Sequence, residues 1–199
     1  MKLLNAILII SILLLSCNGG QKNEKNNTAG KEEKQTGESE QAQFFPVTDF
    51  LKGQVAEIKT KGINPIITTI KGKHLDSAWL KVENMDEAFS PFLSPVIDSS
   101  DMVGMFTEKK FLDQTINAFT FTYDPLKPLP DSFLLRRWDV YVDPESNTVR
   151  RIFMIKKTRD HKTLQLTWQT KESCRIVTIA TDAKGNDYVE KEVTIKWDF

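Results

Sequence analysis

The chain has 199 residues, 40% hydrophobic and 27% charged, with 27 lysine and arginine side chains against 27 aspartate and glutamate side chains. That length supports one well-formed core and is short for two domains, and the charge balance excludes an overall field that would hold nucleic acid or steer acidic substrates. With two cysteines in all, a disulfide framework is excluded as well, and stability must come from the core.

Met1 and Lys2 form a minimal positive start, and the apolar run Leu3 to Leu15, broken only by Asn5 and Ser11, has the length of a signal-peptide core. It is shorter than the roughly 20 residues that span a bilayer. The run ends in Leu14-Leu15-Ser16-Cys17, which resembles the lipobox of bacterial lipoproteins. An ordinary secretory cleavage site wants small residues at minus one and minus three, and Leu14 occupies the latter. The resemblance implies that residues 1–16 are removed and that the Cys17 thiol carries diacylglycerol, with further acylation of palmitate type. Each buried acyl carbon contributes about 0.8 kcal/mol, so several chains give an anchor that does not leave spontaneously. Asn18 stands where an aspartate would resemble an inner-membrane retention signal, which implies sorting to the outer membrane, facing the periplasm. A cell-surface location would want acidic residues directly after the cysteine, and Gln21-Lys22-Asn23-Glu24 is mixed.

Residues 17–43 form the lipidated cysteine and its tether. From Asn18 to Gln43 the only aliphatic side chains are Ala29 and Ala42, so the segment cannot bury enough apolar surface to offset its ordering entropy. As a flexible coil it reaches about 30 Å.

Residues 44–199 are expected to form a single α+β domain. Phe44-Phe45-Pro46 opens it; Thr48 reads as the N-cap of a helix whose Leu51, Val55 and Ile58 share a face and which Gly62 stops. Ile66 to Ile70 reads as a short β-branched strand. Met85, Phe89 and Phe92 fall at helical spacing, with Pro91 kinking or ending that helix. From Phe92 to Gln114 no clean period exists, and irregular packing is expected.

The period then becomes two. Phe119, Phe121 and Tyr123; Leu134, Trp138, Val140 and Val142; Val149, Phe153 and Ile155; Leu164, Leu166 and Trp168; Cys174 to Thr181; and Tyr188 to Phe199 read as six strands separated by turn chemistry. Their short connections leave no room for crossover helices. The expected architecture is an antiparallel meander of about six strands, curled as a half-barrel, with the N-terminal helices packed on one face. The block Arg137-Trp138-Asp139-Val140-Tyr141-Val142-Asp143-Pro144-Glu145 and the closing Val193-Thr194-Ile195-Lys196-Trp197 resemble uncharacterised envelope lipoproteins of Gram-negative bacteria. That resemblance implies no activity and no functional residue.

No motif for chemistry emerges. His74 and His161 lack a second ligand at metal-site spacing. Asp98-Ser99-Ser100-Asp101 and Asp182 to Asp187 lack the glycine and glutamate of a helix-loop-helix calcium loop. Neither a Gly-x-Ser-x-Gly elbow nor a glycine-rich phosphate loop occurs. Glu83 and Glu87 at i, i+4 read as a solvated helix face, and Cys174, on a strand, as a small buried hydrophobe rather than a reactive thiol. No metal or other cofactor is expected. Trp138, Trp168 and Trp197 fall on the apolar faces of three strands. They read as core or, where the helices cover the sheet incompletely, as an apolar ligand face.

Three functions therefore stand open. The first is a membrane-tethered, non-catalytic binding or assembly module of the cell envelope. The second is a carrier of lipid or lipoprotein with an apolar cavity. The third is a hydrolase-type enzyme assembled without a recognisable motif. Expected partners are the membrane, through the lipid on Cys17, and a protein or lipid ligand.

Overall fold

The computed structural model describes residues 44–97 and 102–197. Helix α1 (Val47–Thr60) buries Leu51, Val55 and Ile58, the stripe anticipated from spacing, together with Val47 and Thr48. Thr48 is not the N-cap. Pro46 holds that position, and Thr48 lies within the first turn, where its Oγ1 accepts the Ile97 amide at 2.7 Å. A long-range acceptor role has replaced the local one. Gly62 ends the helix at φ 65, a conformation that costs a residue without Cβ little.

The chain then makes a hairpin of β1 (Ile66–Lys71) and β2 (His74–Trp79) around Gly72, also at positive φ. A single 3-10 turn, Val82–Asn84, leads into helix α2 (Met85–Leu93), which buries Met85, Phe89 and Phe92 and contains Pro91. Proline at that position cannot donate to the Glu87 carbonyl one turn back. The Ser90 hydroxyl donates to it instead at 2.8 Å, and the helix runs on to Leu93.

Seven strands follow: β3 (Phe106–Asp113), β4 (Ala118–Pro125), β5 (Leu135–Val142), β6 (Val149–Lys157), β7 (Thr163–Gln169), β8 (Ser173–Thr181) and β9 (Asp187–Lys196). All belong to one antiparallel sheet of order β2-β1-β9-β8-β7-β6-β5-β4-β3, in which β9 returns to pair with β1. The sheet is open, and among the described residues it has nine strands rather than about six. The six expected runs are β4 to β9, and the expected strand at Ile66 joins them as β1. Strand β2 has no counterpart among the expected elements, and β3 replaces part of the stretch from Phe92 to Gln114 expected to pack irregularly. Both are edge strands, largely exposed on their two faces. Neither therefore needs the apolar alternation by which a half-buried strand is recognised.

Pairing registers put two apolar rows on one face. The first runs Phe121, Val140, Ile152, Trp168, Cys174, Ile195, Ile67, and the second Tyr123, Trp138, Met154, Leu166, Ile176, Val193. Helices α1 and α2 pack on this face and share a single core with it. Each fully buried large side chain there contributes about 1.5–3 kcal/mol. Among the described residues, the other face of the sheet carries no helix.

Candidate functional site

The helices decide the position of the tryptophans. Trp138 and Trp168 have no exposed surface and Trp197 has 3%. Phe89 of α2 meets Trp168 and Trp197 edge-on at 5.4 and 5.9 Å, and Phe92 meets Trp168 at 5.3 Å. Trp138 stacks on Tyr123 at 4.5 Å and is closed off by Phe44 and Phe106. All three therefore lie inside the core and line no open groove. Their indole nitrogens nevertheless find no acceptor among the described residues. Cys17 lies outside the described residues, as does the Asp98 to Asp101 run.

A cleft of about 820 Å³ opens at one end of the sheet. The β3–β4, β5–β6 and β7–β8 hairpins meet the first turns of α1 there, and the lining includes Phe45, Phe50, Tyr141, Arg150, Arg151 and Lys171. Each of these is held by local structure. Phe45 and Phe50 pack edge-on at 5.7 Å, anchored because the Phe45 amide donates to the Tyr123 hydroxyl at 3.3 Å. Arg150 donates to the Asn117 carbonyl at 3.1 Å and lies 3.7 Å from Asp143. The guanidinium of Arg151 stacks 3.9 Å from the centre of the Tyr141 ring. Lys171 sits at the tight β7–β8 turn with φ 62. Glu57 on α1 is held below the usual carboxylate range first by its hydrogen bond to Lys61, and Lys171 adds to the effect.

Among the described residues three cations and one carboxylate, Glu172, line the cleft, and Asp143 lies beside Arg150 at its margin. Two further lining atoms, Gln54 Oε1 and Thr170 Oγ1, are buried without a hydrogen-bond partner among the described residues. The arrangement offers two guanidinium groups and an ammonium beside aromatic surface, a combination suited to a carboxylate or phosphate attached to an apolar body.

Tyr141 and Arg151 also wall a second recess, of about 430 Å³, on the helix-free face of the sheet. Its floor holds Asp139, only 3% exposed, which accepts from Arg137 at 3.2 Å. Phe153, Ile155 and Thr167 complete it. The two recesses therefore adjoin across one cation–aromatic pair.

Elsewhere the chemistry is structural. Cys174 is buried, and burial pushes its thiol up, away from the reactive thiolate. His74 and His161 are exposed, the latter in a turn at φ 63. Asp182 spends its carboxylate on the Lys184 and Asn186 amides, closing the β8–β9 turn. Lys156 is buried and caps the end of α2, donating to the Pro91 and Ser94 carbonyls at 2.6 Å each.

Sequence reasoning missed the cleft because its residues are contributed by four separate segments. The one local signal is the Arg150-Arg151 doublet, placed where the β5–β6 register shifts between Val149 and Arg151. Among the described residues no group of three or more histidine, cysteine, aspartate or glutamate side chains could hold a metal ion, and no helix is long and apolar enough to cross a membrane. No protein-family model, curated protein or solved structure matches the chain.

Proposed function

We propose that the chain is a membrane-tethered, non-catalytic binding module of the cell envelope. Lipid on Cys17 anchors it to the outer membrane, and the hairpin-end cleft takes an anionic ligand with an apolar body. The observation that carries this reading is the lining of Arg150, Arg151 and Lys171 beside Phe45, Phe50 and Tyr141. Guanidinium groups favour carboxylate or phosphate, and the aromatic wall favours a hydrocarbon or ring attached to it.

Two measurements test the two halves. Metabolic labelling with radioactive palmitate should mark the chain and fail to mark Cys17→Ser; equal labelling of both would remove the anchor. Calorimetric titration of residues 44–199 with octyl phosphate should give saturable heat, weaker for inorganic phosphate and absent for the neutral octyl glucoside. Arg150→Glu combined with Lys171→Glu should abolish it. Equal binding of octyl glucoside, or an unchanged double variant, would sink the cleft assignment.

A second reading, a carrier of an acyl chain beneath α2, is supported by the unpartnered indole nitrogens of Trp138, Trp168 and Trp197. An unsatisfied buried donor costs roughly 1–3 kcal/mol, and an ester or amide carbonyl entering with a lipid would satisfy it. Native mass spectrometry of detergent-free protein from a bacterial host decides this reading: a lipid-sized added mass supports it and a clean apo mass removes it.

A further inference from the structure

We infer that β2 is a self-association edge, through which two copies of this chain join their sheets antiparallel about a two-fold axis. Strand β2 is the outermost strand of the sheet, and all of its residues are exposed. Its hydrogen-bonding parity follows from the Leu80 amide, which donates to the Pro65 carbonyl at 2.7 Å. Counting alternately from that pair along the β1–β2 register, the backbone groups of Ala78, Asp76 and His74 turn toward β1. Those of Trp79, Ser77 and Leu75 turn to the free edge. No described residue pairs with them.

The side chains of these same three residues lie on the helix-free face, where Ser77 touches Thr68 at 3.2 Å. There Leu75 and Trp79 are 63% and 68% exposed, backed by Ile70 and Ile66 at 38% and 41%. An apolar group of this size at an unpaired edge is what proteins usually avoid. The opposite edge is more mixed. Parity counted from the Leu126 amide, bonded to the Met105 carbonyl, turns Phe106, Glu108, Lys110 and Leu112 outward on β3, so two charges interrupt an edge on which Leu112 is 46% exposed.

The edge is also complementary to itself. Only one two-fold register pairs all three outward residues: Ser77 opposite Ser77, and Leu75 opposite Trp79 of the second copy on both sides of the axis. That register continues the apolar row as Ile70, Leu75, Trp79, Ile66 across the junction, twice. On the other face it sets Asp76 opposite Ala78, so no like charges meet within the paired segment. Lys73 and Lys81 meet only at its ends, in solvent, and limit its length. A two-fold contact closes on itself and stops at the dimer.

The test uses the full chain in membranes of the expressing bacterium. Hydrogen-bonded antiparallel partners stand about 5.5 Å apart between Cα atoms, within disulfide reach. Under copper-phenanthroline oxidation, Ser77→Cys should therefore convert to a cross-linked dimer in the majority of molecules. The parent chain and Ala78→Cys, whose opposite residue is Asp76, should stay below a tenth of that yield. In parallel, the detergent-solubilised parent should have the mass of a dimer and Ser77→Pro that of a monomer with unchanged circular dichroism. Proline is tolerated at an edge position whose amide faces outward. No cross-link at Ser77→Cys, equal yields at Ser77→Cys and Ala78→Cys, a parent that is monomeric, or a ladder of higher multimers signalling β2-to-β3 pairing would each overturn the proposal.

Discussion

Replacing Lys156 by methionine should remove a specific pH dependence from the stability of the domain. Lys156 is 3% exposed, and burial pushes its amine down to about 7. In the unfolded chain the same amine titrates near 10.4. Between these values the unfolded state holds more protons than the folded one, so raising the pH favours folding. From about pH 7 to about pH 8.5 the gain integrates to about 1.6 kcal/mol, using about 1.36 kcal/mol per pH unit once the folded amine is neutral. The neutral amine keeps two N–H groups, enough for the Pro91 and Ser94 carbonyls, so α2 stays capped through the titration. Urea unfolding of residues 44–199, followed by tryptophan fluorescence across that range, measures the slope. The wild type should gain stability relative to Lys156→Met by about this amount. Parallel profiles for the two proteins would show that the buried amine stays charged on its two carbonyls, and the reasoning would fail.

Phe89→Ala should lower stability by about 3–5 kcal/mol in the same assay, because it opens a cavity between Trp168 and Trp197; a loss below about 1 kcal/mol would mean that α2 contributes little to the core. Cys174 should resist a thiol reagent in the native protein and react at once in urea, since burial raises its pKa and shields it. Rapid native labelling would indicate that the β8 region opens readily.

The strands were legible in the sequence where one face is buried. Leu164, Leu166 and Trp168 alternate with Thr163, Gln165 and Thr167, and β7 occupies those positions. The apolar stripe Leu51, Val55, Ile58 gave α1 for the same reason, and Gly62 its end. Thr48 was misread because a threonine near a helix start has two uses for its oxygen. The distant amide of Ile97 claimed it, and no local pattern records such a partner.

What the sequence by itself determined is whatever depends on periodicity and turn chemistry along one segment: the α1 and α2 stripes, strands β1 and β4 to β9, and the turns between β4 and β9. Only the tertiary structure decided that β9 returns to β1, that His74–Trp79 and Phe106–Asp113 are the two edges, and that Trp138, Trp168 and Trp197 lie under the helices. It alone brought Phe45, Tyr141, Arg150 and Lys171 to one cleft. The physical reason is that burial on one face imposes a local repeat on the residues that share it. Edges and clefts are defined by which distant segments come to lie beside them, and that leaves no period to read.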